Sequence, residues 1–271
     1  MPAHVHPTAV VSPDASLADG CVVGPFAVLD GRVTLGAGVV VGPHCHLLGE
    51  LTVGAGCRFH AGCVIGDAPQ HLGYKDEPTG TVVGERSVFR EHVTVHRAMP
   101  VHQRTTVIGH RNLFMVNSHV AHDCIVGSDC VFANGAVIGG HVEVGDRAFL
   151  SGNTAVHQLC RVGRLAMVGG TSCISQDLPP FWICQGRINE LHGVNVVGLR
   201  RAGVPQDEIA AIRQAYNLLN RSRMMIPEAV AEMESRYPTV GPIQELIRFI
   251  RGTKRGIITG HQDDRTSNPD V

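Results

Sequence analysis

"IGHRNLFMVNSHVAHDCIVGSDCVFANGAVIGGHVEVG", Ile108 to Gly145, carries an aliphatic residue or phenylalanine at every sixth position. These anchors are Ile108, Phe114, Val120, Val126, Phe132, Ile138 and Val144, and the same step runs on through Leu150, Val156, Val162, Val168 and Ile174. Traced backward, it passes through Val5, Val11, Leu17, Val23, Leu29, Leu35, Val41, Leu47, Val53, Phe59 and Ile65, breaks at His71, and resumes at Val83, Phe89 and Val95. Glycine often follows an anchor, as at Gly24, Gly42, Gly127 and Gly145.

Six residues make a short strand and a corner. Alternation along the strand turns one side chain of each unit inward, and glycine relieves the backbone at the bend. Three units close a triangular coil, so a turn takes about 18 residues and pairs with the turns above and below. The pattern predicts a mainly β protein, a parallel β-helix of hexapeptide type. Cys21, Cys45, Cys57, Cys63, Cys124, Cys130 and Cys160 each follow an anchor by four places, where alanine otherwise recurs, and read as small apolar fillers.

The bulk numbers agree with a folded, glycine-rich chain. It has 271 residues, 44% hydrophobic and 17% charged, with 32 glycines and a formal net charge of −1. That balance argues against a nucleic-acid surface. No apolar run reaches the roughly 18 residues of a membrane span, and "MPAHVHPTAV" lacks the basic and apolar regions of a signal peptide, so the expected compartment is the cytoplasm.

The hexads end near Ile174. We expect the β-helix over 1–188, with loops ejected near 66–82 and 98–107, a helical C-terminal domain over 189–259, and a disordered tail over 260–271. A loop thrown out of a regular solenoid is usually functional. "QDLPPFWICQGRINELHGVNVVGLRRAG" reads as irregular. "VPQDEIAAIRQAYNLLNRS" reads as a helix with Ile209, Ile212, Tyr216 and Leu219 on one face, and "PEAVAEMESRY" and "GPIQELIRFIRG" as two more.

Of the 16 histidines, periodicity selects a few. His122, His141 and His157 fall in units of one face in three successive turns. Turns about 4.8 Å apart put the first two imidazoles within roughly 6 Å. His119 sits close to the same corner. Such a column can hold zinc, or it can supply a general base with substrate-holding neighbours. Asp123 follows His122 directly; in a strand its side chain points the other way, and only a corner would let it orient the ring.

The strings "HVAHDCIVG", "GGHVEVGD", "AVHQLCRVG", "SQDLPPF" and "GVNVVGLRRAG" resemble the UDP-N-acetylglucosamine O-acyltransferases, a family of left-handed hexapeptide-repeat acyltransferases. The resemblance covers nearly the whole chain, and "H-x-x-H-D-C" within a hexapeptide coil is its most specific part. It implies a left-handed parallel β-helix, against the usual preference for right-handed crossovers, followed by a small α-helical domain. It implies transfer of a (3R)-hydroxyacyl chain from acyl carrier protein to the 3-hydroxyl of UDP-N-acetylglucosamine, the first step of lipid A biosynthesis. Carried over position by position, it makes His122 the general base and Gly140 the backbone donor to the oxyanion. Gln70, His119, His141, His157, Gln158, Asn195 and Arg201 would hold substrate, and Gly170 would limit acyl length. The implied assembly is a homotrimer with sites in subunit clefts. No metal and no cofactor beyond the carrier's phosphopantetheine thioester is implied, nor any stable membrane insertion. Arg200, Arg201, Arg213, Arg221, Arg223, Lys254 and Arg255 would give the helical tail a basic excess that could dock an acidic carrier protein.

The chain departs from the family pattern at His71 and Gly73, where Asp and Lys are usual, and at Val197 and Ala202. These changes touch the acceptor side and keep open transfer to the 3-amino analogue of the sugar nucleotide, an N-acylation. Two other readings use the same coil. One is a zinc-dependent carbonic anhydrase, whose His-x4-His pair would need a histidine where Asn117 stands. The other is a non-catalytic scaffold.

Overall fold

The computed structural model describes residues 1–101, 104–222 and 224–260. Its first two-thirds is a triangular coil of short parallel strands in sheets of eleven, nine and eight strands. The register confirms the six-residue unit. Leu113 pairs with Val131, Val131 with Phe149, and Phe149 with Met167, each step advancing 18 residues. The anchors Val23 to Ile174 point inward and are buried, whereas Val5, Val11 and Leu17 at the open first turn are not. Phe59, Phe89, Phe114 and Phe132 form a ladder with successive ring centroids 4.8 Å apart. Each buried anchor contributes about 1.5–3 kcal/mol of apolar transfer.

The corners divide their work between two positions. The residue three places after most anchors takes a left-handed conformation, glycine or not, as at Asn117, Asp123, Asp129, His141 and Asn153, all with φ between 54° and 59°. The glycine that directly follows an anchor serves close approach instead. A Cβ on Gly42 would lie 2.7 Å from the Phe59 carbonyl oxygen of the next turn. Bend relief is therefore not the role of that glycine. The seven cysteines expected as fillers are all buried and unpaired.

Both ejected loops are present, with shorter limits than expected. Strand Val64–Asp67 and strand Gly80–Val83 are both paired, which leaves 68–79 as the first loop. Strand Thr105–Ile108 likewise pairs with Gly80–Val83, so the second loop closes before Thr105. Arg97 holds the first loop down. Its Nε donates to the Tyr74 hydroxyl at 2.9 Å and its Nη1 to the Gly66 carbonyl at 3.0 Å.

The stretch after Ile174 is more ordered than its sequence suggests. Trp182–Cys184 extends the eleven-stranded sheet, and Leu191–Val194 turns back antiparallel to it. Helices α1 (Val196–Arg201), α2 (Gln206–Asn220), α3 (Ile226–Arg236) and α4 (Gly241–Arg251) follow. Ile209, Ile212, Tyr216 and Leu219 of α2 are buried as the helical spacing required, and Tyr216 packs edge-on to Trp182. Arg161 ties this part to the coil: it pairs with buried Asp177 at 2.8 Å and donates to the Phe249 carbonyl of α4. Among the described residues, no helix is long and apolar enough to cross a membrane. Arg223 and the tail from 261 onward lie outside the described residues.

Candidate active site

Val120 is an anchor, so His122 and Asp123 occupy the corner where the nine-stranded sheet passes into the eight-stranded one. The left-handed conformation of Asp123, φ 59°, swings its side chain back toward its neighbour. Asp123 Oδ2 lies 2.7 Å from His122 Nδ1, and both residues are buried. A carboxylate only accepts, so Nδ1 donates and the neutral ring keeps its lone pair on Nε2. The pair is not in a strand, and of the two arrangements open to Asp123 the corner one is realised.

Asp123 is held from several sides. Its N–H donates to the Thr106 hydroxyl at 2.9 Å, and its Oδ2 also accepts the Met99 N–H at 3.0 Å. Met99 belongs to the second ejected loop. His141 Nε2 stands 3.8 Å from the same oxygen, and the His122 and His141 ring centroids are 5.3 Å apart. Asp123 Oδ1 is buried without a hydrogen-bond partner among the described residues. The first loop arrives as well: the exposed His71 sets its ring edge-on to His122, centroids 5.8 Å apart. Both loops thus converge on one dyad. Thr106 and Met99 carry no sequence signal of this. Their distance from His122 along the chain hides it.

One turn below His122, at the equivalent corner position, is Gly140. A Cβ there would lie 2.6 Å from His122 Cε1 and 2.7 Å from Nε2, so the imidazole rests where any side chain would be. The Gly140 N–H has no hydrogen-bond partner among the described residues. A free donor therefore lies in the turn beside the His122 ring.

The remaining histidines separate. His119 Nδ1 is 2.7 Å from the Thr94 hydroxyl, and its ring packs edge-on to His96 at 4.9 Å. Burial first, then the neighbouring His96 and His122, push His119 down to about 4, so it is neutral near pH 7. Burial lowers His96 too. His157 is exposed, and its Nδ1 donates to the Gln158 carbonyl at 3.1 Å. Gln70 is exposed in the first loop.

A second feature lies on the far side of the prism. A cavity of about 800 Å³ is lined by Phe149, Met167 and Ile183 of the eleven-stranded sheet and by Asn195, Val197, Arg201 and Ala202. The corner carrying His122 is opposite this sheet, so a single chain keeps the two apart.

The residues matched by known families fit this geometry. A model described as domain 2 of UDP-N-acetylglucosamine O-acyltransferase matches 177–258, and the bacterial transferase hexapeptide model matches 32–67 and 105–140. The acyl-[acyl-carrier-protein]–UDP-N-acetylglucosamine O-acyltransferase of Alkalilimnicola ehrlichii is 48% identical over 254 residues, 94% of this chain and 98% of that protein. The chain belongs to the UDP-N-acetylglucosamine O-acyltransferase family. The Thiobacillus denitrificans relative of the same name is 45% identical over 94% of this chain and 99% of its own. The crystal structure of the Moraxella catarrhalis UDP-N-acetylglucosamine O-acyltransferase superimposes with a TM-score of 0.91 at 36% identity, covering 94% of this chain and 99% of that one.

The coil is accordingly the left-handed parallel β-helix of UDP-N-acetylglucosamine O-acyltransferases, with the helical region at its C-terminal end. Within that frame, Asn195 has a structural duty: it caps α1 through Gly198 N–H and donates to the Leu165 carbonyl. Gly170 is exposed at the other edge of the nine-stranded sheet, and a Cβ there would meet only the Gly152 carbonyl at 3.6 Å. Packing alone does not demand glycine at that point. Arg201 lines the 800 Å³ cavity, whereas Lys254 and Arg255 line another of about 600 Å³ that reaches Asp123 and His141.

Proposed function

We propose that the protein transfers a (3R)-hydroxyacyl chain from acyl carrier protein to the 3-hydroxyl of UDP-N-acetylglucosamine, the reaction that opens lipid A synthesis. The observation that carries this reading is the His122–Asp123 dyad beside the free N–H of Gly140. His122 Nε2 takes the proton of the sugar hydroxyl as its oxygen attacks the thioester carbonyl. Asp123 holds Nδ1–H and stabilises the imidazolium that forms. The Gly140 N–H meets the oxyanion, a contact worth a few kcal/mol. The imidazolium then returns its proton to the departing thiolate. No step calls for a cofactor beyond the donor's own thioester.

Neutral His119, with His141, His157 and Gln158, lines the nine-stranded face on which we place the acyl chain. From His122 to Gly170 is 48 residues, or about 13 Å along the coil axis at 4.8 Å per turn. Gly170 leaves the end of that path open, which suits a long chain. The nucleotide belongs in the 800 Å³ cavity beside Asn195 and Arg201. Because this cavity and the base lie on opposite sides of the prism, the cavity of one chain must meet the edge of another. An edge-to-face contact of this kind closes as a ring, and a triangular prism favours three copies. The acidic carrier protein approaches from Lys254 and Arg255. The abundance of unpaired thiols supports a reducing cytoplasmic setting.

His71 favours a second reading. It stands against His122 where the family resemblance calls for an acidic residue, so the acceptor itself is the point to test. Transfer from hydroxyacyl carrier proteins of several lengths is to be measured with UDP-N-acetylglucosamine and its 3-amino analogue, for wild type and His122→Ala. O-acylation lost in the variant is the expected result. Transfer to the amino analogue alone reassigns the acceptor, and transfer to neither overturns the function.

A further inference from the structure

We propose that His122, Asp123 and His141 form a site for a zinc-class divalent metal ion, and that the ion and acyl transfer exclude each other. The three donor atoms lie within 4.8 Å of one another. His122 Nδ1 and His141 Nε2 are 2.7 Å and 3.8 Å from Asp123 Oδ2. Tetrahedral zinc with bonds of about 2.0–2.2 Å holds its donors roughly 3.3 Å apart, between those two separations. Small ring rotations therefore open the place. Asp123 Oδ1, buried and without a partner among the described residues, offers a further lone pair. The Met99 N–H on Oδ2 is the outer hydrogen bond that orients a ligating carboxylate. Two imidazoles and one carboxylate suit zinc better than magnesium or calcium, which prefer oxygen donors throughout.

The exclusion follows from the imidazole's single proton. In the metal-free dyad it sits on Nδ1, facing Asp123, and Nε2 is the base. A metal on Nδ1 needs that lone pair, so the proton of the neutral ring moves to Nε2. The ring then has no lone pair to accept the acceptor's proton. No bond to substrate is made or broken, and no net proton is released. The binding half of the proposal stands on geometry alone; the exclusion half rests on His122 being the base of the proposed transfer.

The test is calorimetric titration of zinc chloride into metal-free, full-length protein near neutral pH. Wild type is compared with His141→Gln and Asp123→Asn, each first checked for native assembly and melting temperature. Acyl transfer is assayed across the same zinc series and after adding a chelator. We expect one saturable ion per chain, affinity at least about tenfold weaker in each variant, and a loss of transfer that tracks occupancy and is reversed by the chelator. No saturable binding, or wild-type affinity retained in both variants, overturns the site. Saturation with undiminished transfer overturns the exclusion. The zinc-free arm reports transfer by itself, so a failure of the functional reading shows there and removes the exclusion with it.

Discussion

His141 stands one full turn of the coil after Asp123, and its Nε2 lies 3.8 Å from the Asp123 carboxylate. Both occupy the left-handed corner position, with φ 59° each. The 18-residue turn therefore stacks a histidine beneath an aspartate, and the conformation of that corner aims the aspartate at His122. The carboxylate sits between two imidazoles, one hydrogen-bonded and one at the edge of contact.

Replacing the carboxylate tests its part in the chemistry. Asp123→Asn preserves shape but can offer an N–H to Nδ1, which favours the tautomer with the proton on Nε2. We expect kcat to fall by about 10²-fold or more, approaching the loss in His122→Ala, with KM little changed. Steady-state kinetics on both variants, with circular dichroism to confirm the fold, make the comparison. An Asp123→Asn protein with near wild-type kcat would remove Asp123 from the mechanism.

Gly140 is expected to tolerate no side chain. In Gly140→Ala the new Cβ would press on the imidazole at 2.6–2.7 Å, so the ring must move. A displacement near 1 Å costs about 10²-fold in rate. By contrast, Gly170→Ala meets only an ordinary 3.6 Å contact and should keep its turnover while shifting acyl preference toward shorter chains. Rates of both variants with a series of donor lengths check this.

Thr106 is a positioning residue. It is fully buried, and its hydroxyl holds the Asp123 N–H. Thr106→Val removes one hydrogen bond without changing volume, a loss of about 1 kcal/mol or roughly fivefold in kcat. KM should hold, and Thr106→Ser should restore the rate. Failure of serine to rescue would assign the effect to packing.

Acid should weaken the protein partly through His119. Its folded value of about 4 lies below the ordinary 6.5, so between those values the unfolded chain binds a proton that the folded one refuses. This contribution to stability is intact above about pH 6.5, drains away as pH falls toward 4, and then levels off. Thr94, His96 and His122 face the ring. In His119→Gln, the drop in urea midpoint between about pH 7 and pH 5 should be smaller than in wild type, with His96 retaining its share. An equal drop in both proteins would rule His119 out as the source.

The coil was readable because its rule is local and repeated. A buried anchor every six residues constrains side-chain direction at each unit, and the helices of the tail announced themselves by apolar spacing. The column of His122 and His141 followed from counting turns. The Trp182–Cys184 and Leu191–Val194 strands and α1 were not readable: two are too short for a period to show, and pairing with the sheet edge, not propensity, makes them strands.

By itself, the sequence determined the repeat, the coil, the buried cysteines and the face on which the histidines stack, since each depends on backbone periodicity alone. Tertiary structure decided what the site is made of. The left-handed corner turned Asp123 onto His122, and two loops ejected far upstream returned His71 and Met99 to the same pair. Folding also placed the Asn195 cavity across the prism from His122. Such contacts depend on where loops close and how corners bend, and these are set by packing in three dimensions rather than by any spacing along the chain.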